Sequence, residues 1–227
     1  MKILLIAATA FEIAPLLDFL RSEGWEREPL HFQKEALSIE VLITGVGLPL
    51  AAFALGHRLT TRQYNLLLQA GVAGAIDRQL QLGEVVEVVS DCFADLGVEE
   101  ADGTFTEVTT MGLIDGDSFP FKYGRLWNSP IDGEAFLPRV HGISVNKVHG
   151  TEESIAAMKA SFPFAQVESM EGASFFYASL QYARPALQIR SISNYVEKRQ
   201  RDNWKLKEAI TNLNQVLQEM LLSFSEQ

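Results

Sequence analysis

The sequence contains one cysteine, few basic residues and no long hydrophobic run, and each scarcity excludes a class of protein. With Cys92 alone, no intrachain disulfide can form, which fits a reducing cytoplasm. The apolar runs stay shorter than the roughly 18 residues that a membrane-spanning helix needs. The formal net charge of −10 argues against nucleic-acid binding, which depends on clustered Lys and Arg. We therefore predict a cytoplasmic protein without nucleic-acid or membrane partners.

Motifs for metal binding, phosphate binding and serine hydrolysis are lacking as well. His31, His57, His141 and His149 have neither H-x-x-x-H nor H-E-x-x-H spacing and no Cys partner, so we expect surface or hydrogen-bonded histidines and no metal site. The turns GVG and GVAG do not fit G-x-G-x-x-G, and there is no P-loop and no G-x-S-x-G elbow. Cys92 is expected to be a small buried hydrophobe. What remains is acid/base chemistry by Glu, with recognition by backbone groups and an amide.

Short apolar runs alternate with helical patterns along most of the 227 residues, of which 47% are hydrophobic. The opening MKILLIAATAFE lacks the apolar core and cleavage site of a secretory signal, so we interpret residues 2–8 as a first strand. The predicted strands that follow are 38–47, 65–74, 83–92, 141–148, 164–169 and 186–193; the predicted helices begin near Ile13, Pro49, Thr151, Met170 and Asp202. Residues from 93 to about 140 lack a clear period and are predicted as loops and short strands. No linker divides the chain, so we predict one α/β domain over 1–227.

Candidate functional residues follow the apolar runs, because ligands in α/β sheets usually bind beyond the carboxyl ends of the strands. The segments in these positions are Thr9 to Glu12, Gly45 to Gly47, Gly71 to Gly74, Asn146 to Thr151, Glu168 to Glu171, and Ser193-Asn194. Their glycines would let a ligand approach the backbone closely, although spacing alone is equally consistent with tight turns.

The opening MKILLIAATAFE, the GVG and GVAG turns, LGEVVEVVSD, VESMEGAS and SISN occur in an order that resembles the nucleoside phosphorylase/nucleosidase family. The likeness is strongest to its methylthioadenosine/S-adenosylhomocysteine nucleosidase branch, and it covers nearly the whole chain. It implies a three-layer α/β/α fold with a central mixed sheet. It also implies hydrolysis of the N-ribosidic bond of a purine nucleoside, without a cofactor.

The resemblance assigns roles to residues at the ribose. Glu12 corresponds to the acid/base that handles the proton for the purine leaving group and helps place the attacking water. Met170 would pack under the ribose, and Glu171 would accept hydrogen bonds from its 2′- and 3′-hydroxyls. The backbone near Val72 and Ala73 would line the sugar side of the cleft.

Around the purine, the resemblance is less complete. The stretch from 145 to 150, which includes Val148, would flank the base. In VESMEGAS one extra residue, relative to a compact V-E-M-E form, separates Glu168 from the Met-Glu pair, so the resemblance gives Glu168 no firm role.

Asn194 departs from the adenine-cleaving relatives, which have Asp there. An amide cannot protonate purine N7 at ordinary pH, but it offers a donor for a 6-oxo group and an acceptor for an N7 proton. We therefore predict a 6-oxopurine such as hypoxanthine, with Ser193 orienting the loop or the amide. SISNYVEKRQRDNWKL and VESMEGASFFY are similar to the futalosine-cleaving branch of the family, which serves an alternative menaquinone route.

Futalosine has a benzoate-bearing tail, whose carboxylate would need a cation or free backbone N–H groups. The candidate cations are Arg125, Lys147, Arg199 and Arg201. An apolar tail pocket or a subunit interface would equally explain the aromatic residues of the middle segment, Phe119, Phe121, Tyr123 and Trp127.

Three rival functions remain at this stage. A phosphorylase would need an anion site, and the GVG and GVAG turns have neither Arg nor Ser, which favours water as the acceptor. The second rival function is cleavage of methylthioadenosine and S-adenosylhomocysteine. The third is a nucleoside-binding module without turnover, and the presence of Glu12 and Glu171 argues against such a module. The resemblance and an apolar C-terminal stripe also indicate a homo-oligomer; the stripe consists of Leu206, Ile210, Leu213, Leu217 and Met220/Leu221.

Overall fold

The computed structural model describes residues 1–128 and 136–226, and it contains one large mixed sheet covered by helices. The strands are β1 (Lys2–Ala7), β2 (Glu26–Glu28), β3 (His31–Lys34), β4 (Leu37–Ile43), β5 (Leu66–Ala75), β6 (Val85–Asp91), β7 (Gly97–Glu99), β8 (Phe105–Glu107), β9 (Phe121–Lys122), β10 (Arg125–Trp127), β11 (Arg139–Ser144), β12 (Val167–Ser169) and β13 (Ala186–Tyr195). The helices are α1 (Ala10–Ser22), α2 (Leu48–Thr61), α3 (Glu152–Ser161), α4 (Gly172–Gln181) and α5 (Leu206–Ser225).

The large sheet has the strand order β2-β3-β4-β1-β5-β12-β11-β6-β10-β9, and β13 pairs with both β5 and β6. β13 runs parallel to β5 and antiparallel to β6. Because β12 and β11 connect β5 to β6 on the other side, these five strands close into a ring. The predicted mixed sheet is confirmed.

Helices cover both faces of the sheet. α2 and α4 pack on one apolar cluster, α1 and α5 pack on a second, and α3 packs on a smaller third cluster. Burial of the apolar face of α5 explains its long helical period: Leu213, Leu217 and Leu221 have no exposed surface. The predicted apolar stripe therefore lies in the chain's own core, and it gives no support for a subunit interface. No helix within the described ranges is long and apolar enough to cross a membrane.

The predicted strands and helices are present, with shifted ends. The strand expected over 141–148 ends at Ser144, and after the backbone bond from Val145 N–H to the carbonyl of Ser169 the chain continues as a loop. The helix expected from Met170 begins at Gly172, with Glu171 as its N-cap. The hairpin of β2 and β3 had not been predicted; its core contact is made by Phe32, which is fully buried.

The middle segment consists of loops and the short strands β7 to β10, as predicted. Residues 129–135 of that segment lie outside the described part of the chain.

Candidate active site

The candidate site lies where β5 changes its neighbour. One edge of β5 pairs with β13 along most of its length. The other edge pairs with β1 as far as Gln69 and with β12 from Gly74 onward. Residues 70–73 therefore have no strand partner on that edge, which is the kind of topological switch point where α/β proteins bind ligands.

Glu12 fills part of this opening from the first turn of α1. Its Oε2 accepts hydrogen bonds from the backbone N–H and the hydroxyl of Thr9, both at 3.0 Å. Its Oε1 accepts from the backbone N–H of Val72 at 3.2 Å, a donor that the interrupted ladder leaves available. The carboxylate is thus fixed between the end of β1 and the unpaired edge of β5.

Glu171 reaches the same region from the N-cap of α4. Its Oε1 accepts from the backbone N–H of Gly47 at 2.9 Å, and its Oε2 lies 3.8 Å from Nη1 of Arg190. Gly47 has a φ of +101°, a conformation that favours glycine, and this aims its N–H at the carboxylate. Burial raises the pKa of Glu171 above its ordinary value, although the charge of Arg190 and the bond from Gly47 oppose the shift.

Arg190 is a site residue that sequence reasoning missed. It is 1% exposed, and its guanidinium donates to Gln188 Oε1 at 3.2 Å and Gln69 Oε1 at 3.1 Å. Arg190 is paired with Gly71, where an added Cβ would lie 2.5 Å from Arg190 Nη1 and 2.9 Å from Glu12 Oε1. Glycine therefore makes room for both charged groups over β5. The available signal was an arginine inside the apolar run ALQIRSIS.

Asp91, also missed, continues this network into the core. It accepts from the backbone N–H of Cys92 at 2.8 Å, the hydroxyl of Ser144 at 2.9 Å and the side-chain amide of Gln188 at 3.3 Å. Burial raises the pKa of Asp91 to about 6, despite these bonds and the charge of Arg190. Burial also raises the pKa of the Cys92 thiol well above its usual range, which agrees with a non-catalytic cysteine.

Ser193 and Asn194 stand at the other end of the opening, at the end of β13. The Ser193 hydroxyl lies 2.8 Å from Asn194 Oδ1 and 3.3 Å from the carbonyl of Ala73. Asn194 Nδ2 donates to the carbonyl of Tyr195 at 3.0 Å. One N–H and one lone pair of the amide remain for a ligand.

A small cavity of about 60 Å³ adjoins Asn194. Its wall includes Val148, His149, Glu168 and Trp204. Glu168 is 4% exposed, and its Oε1 accepts from the backbone N–H of His149 at 3.1 Å. The Oε2 of Glu168 forms a hydrogen bond with Nδ1 of the His149 side chain. Glu168, to which the resemblance gave no firm role, is thus bonded to a histidine beside Asn194.

The remaining predicted site residues occupy neighbouring positions. Ala73 is buried, and Met170 is half-buried between β12 and α4. Asn146, at the start of the predicted purine-flanking stretch, accepts from the backbone N–H of Leu48 at 3.0 Å and so links that loop to α2. Contacts of Ala73, Val148 and Met170 with a sugar or a base stay predictions.

The four candidate cations for a substrate tail are in different places. Arg199 lines the cavity at Asn194, and its guanidinium lies 5.4 Å from the ring of Trp204. Arg125 packs between two aromatic rings in another cavity of about 360 Å³, which shares no lining residue with the first. Lys147 and Arg201 are exposed on the surface.

The side chains at the opening can serve acid/base chemistry. In the part of the chain that the structure describes, no three His, Cys, Asp or Glu side chains converge to hold a metal ion. Two buried carboxylates and an arginine stand at one end of the opening along β5, and an amide and a histidine-glutamate pair stand at the other end of the opening. Negative groups can stabilise a positive centre at the first end, while the second can form hydrogen bonds with a polar heterocycle.

Comparison with known proteins identifies the family. The sequence profile of the phosphorylase superfamily matches residues 2–224. A futalosine hydrolase from Streptomyces coelicolor is 30% identical over 179 residues, which cover 77% of this chain and 74% of the relative. A 5′-methylthioadenosine/S-adenosylhomocysteine nucleosidase from Colwellia psychrerythraea is 24% identical over 217 residues, covering 83% and 81% of the two chains. The structure of a futalosine hydrolase from Helicobacter pylori has a TM-score of 0.78 at 18% identity and covers 98% of each chain.

The chain therefore belongs to the phosphorylase superfamily. The predicted nucleoside phosphorylase-like α/β/α fold is confirmed.

Proposed function

We propose that this chain is an N-ribosyl hydrolase that cleaves futalosine to hypoxanthine and dehypoxanthine futalosine, a step of the alternative menaquinone route. The observation that favours this substrate is the amide of Asn194, which is fixed by Ser193 and Tyr195 beside a small cavity. The 30% identity to a futalosine hydrolase supports the same choice. The enzyme needs no cofactor in this scheme.

The ribose end supplies the charge for bond cleavage. An N-ribosidic bond breaks through an oxocarbenium-like sugar, so anionic groups around the ribose stabilise the transition state. In this proposal Glu171 accepts hydrogen bonds from the 2′- and 3′-hydroxyls, and Met170 packs under the ring. Glu12 positions the water and takes its proton as the water oxygen bonds to C1′ and the bond to purine N9 breaks. The protonated Glu12 then returns this proton through solvent to N7 of the departing base, so that the purine leaves as a neutral molecule. General acid/base help of this kind contributes about 10²–10⁴-fold.

The base end distinguishes the purine. The free N–H of Asn194 donates to O6 of hypoxanthine, and its amide oxygen accepts the N7 proton of the departing base. The 6-amino group of adenine would meet a donor instead of an acceptor. Sites that leave buried polar groups unpaired can discriminate strongly between substrates.

Phosphorolysis is disfavoured by the same charges. An arginine is present at the opening, but Gln69, Gln188 and Glu171 surround the Arg190 guanidinium. Glu12 and Glu171 would repel a phosphate dianion next to it. Water is the acceptor that fits an opening with two carboxylates.

The function is tested by incubating the purified protein with futalosine, inosine and methylthioadenosine, with and without phosphate. Hypoxanthine release is followed with coupled xanthine oxidase, and all products are resolved by chromatography. We expect hypoxanthine from futalosine without phosphate. Strict phosphate dependence would identify a phosphorylase, and cleavage of methylthioadenosine with futalosine left intact would identify the adenine-specific nucleosidase, which is the second candidate because of the 24% identity to such an enzyme.

The proposal includes one domain over residues 1–227, a cytoplasmic location that fits the lone Cys92, and a homo-oligomer. Val46, Leu50 and Phe53 support an assembly of identical chains, because these apolar side chains are 48%, 54% and 77% exposed. Leu50 and Phe53 are one turn apart on α2, and Val46 lies just before the helix. Light scattering after size exclusion should give at least twice the monomer mass. Phe53→Glu should lower that mass, and a monomeric wild-type protein would refute the assembly.

A further inference from the structure

Gly74 has a polar partner on each side. In β13 it is paired with Asn194, and in β12 it is paired with Glu168. Neighbouring strands lie about 4.8 Å apart, so the backbones of Asn194 and Glu168 are roughly 10 Å apart across Gly74. A Cβ on Gly74 would lie 3.2 Å from Asn194 Nδ2 and 3.0 Å from Val196 Cγ2. The glycine thus leaves a slot with a polar side chain at either end.

Glu168 does not face the slot alone, because His149 is bonded to both of its carboxylate oxygens. A carboxylate that accepts from Nδ1 keeps the proton of a neutral imidazole on Nδ1. The other nitrogen, Nε2, is then a hydrogen-bond acceptor, and it has no hydrogen-bond partner among residues 1–128 and 136–226. His149, Glu168 and Asn194 line the same cavity.

An acceptor at this position distinguishes the two classes of purine. A 6-oxopurine has a proton on N1 and can donate to such a nitrogen, whereas a 6-aminopurine has a bare N1 lone pair that would face the lone pair of the imidazole. Asn194 contacts the O6 and N7 edge, so the second contact falls on the next edge of the ring, where N1 lies.

We propose that His149, held by Glu168, is a specificity-determining residue that accepts a hydrogen bond from N1–H of the 6-oxopurine. This inference rests on the proposed function and adds a second, independent contact to that of Asn194. His149 recognises the base and takes no part in proton transfer to it. The loop from Val145 to His149 leaves the β11 ladder and thereby brings His149 to the cavity.

The test compares three substrates in wild type and variants: futalosine, its 6-amino analogue and its N1-methyl analogue, which cannot donate from N1. His149→Phe removes the acceptor and keeps an aromatic ring, and His149→Gln restores an acceptor oxygen. His31→Phe, on β3, is the matched control. Loss of one buried hydrogen bond, about 1–3 kcal/mol, corresponds to roughly 5–150-fold in kcat/KM.

We expect His149→Phe to lose that factor on futalosine but not on the N1-methyl analogue, with partial recovery in His149→Gln and no effect of His31→Phe. Equal losses on all three substrates, or an unchanged ratio of 6-oxo to 6-amino cleavage, would overturn the inference while futalosine cleavage by wild type stands. If wild type releases no hypoxanthine from futalosine, the proposed function fails instead. Direct binding of free hypoxanthine and free adenine to wild type and His149→Phe then tests the His149 contact separately, because loss of hypoxanthine preference is still expected.

Discussion

The two ends of the opening along β5 are built from different chemistry. At Gly71 stand Glu12, Glu171 and Arg190, all charged and largely buried, with their positions fixed by backbone N–H groups and buried amides. At Gly74 stand a neutral amide and an imidazole paired with a carboxylate. In the proposed function, the charged groups at Gly71 face the sugar, and the amide and the paired imidazole at Gly74 face the base.

The largest effect is expected at the charged end. Glu12→Gln keeps the shape of the side chain but removes the base, so kcat should fall by about 10²–10⁴-fold with little change in substrate affinity. Steady-state kinetics and equilibrium binding measure the two quantities. The control is Glu87→Gln, which removes a buried carboxylate that pairs with Arg139 outside the site. If Glu12→Gln kept the wild-type rate, Glu12 would have no part in the mechanism. If the wild-type protein itself showed no turnover, it would be a binding module.

A change of base preference is expected at the neutral end. Asn194→Asp replaces the donor by an acceptor or a proton source, so the ratio of 6-amino to 6-oxo cleavage should rise by roughly 10²-fold. Competition between the two nucleosides in one reaction gives this ratio directly. Asn212→Asp, at a half-buried amide bonded to Gly83, is the control. An unchanged preference would exclude Asn194 from base recognition.

Two glycine variants compare the ends with the same added methyl group. In Gly71→Ala the Cβ would meet buried Arg190 and Glu12, and a displacement near 1 Å can cost about 10²-fold in rate with every substrate. In Gly74→Ala it would meet Asn194 and Val196 at 3.0–3.2 Å, so base preference and KM should change more than kcat. Gly56→Ala has open space and serves as the control. Identical kinetic changes in Gly71→Ala and Gly74→Ala would contradict the assignment of different roles to the two ends of the opening.

The smallest effect concerns the buried support of Arg190. The pKa of Asp91 is raised from 3.8 to about 6, so between those pH values the folded state binds a proton more tightly than the unfolded state. The protonated Asp91 carboxyl therefore contributes at most about 3 kcal/mol to the free energy of unfolding. This contribution is complete below pH 4 and is lost as the pH rises through 6. Asp91→Asn should abolish this part of the pH dependence in urea unfolding at pH 4 and pH 7. Equal pH slopes in the two proteins would rule out the shift.

Sequence reasoning was most successful where the signal is local. Apolar runs and helical spacing predicted β1, α1, β5 and α5. The positions just after the strands gave Glu12, Glu171 and Asn194 as candidates, and their roles stay predictions. The signal failed where polar residues lie within apolar segments, as for Arg190 in β13 and Asp91 at the end of β6, because burial there depends on partners from other strands. The hairpin of β2 and β3 was missed because its residues are mostly polar and exposed.

The sequence by itself determined the alternation of strands and helices, the family likeness and the amide at position 194. All three are properties of local order, since apolar spacing and turn residues act over a few neighbours. Only the tertiary structure decided that Asn194 and Glu168 stand on either side of Gly74, that Arg190 lies beside Glu171, and that the stripe of α5 is internal. Those arrangements depend on pairing β5 with strands about 90 or more residues away in the chain, and the register of such distant pairs is set by packing of the whole core.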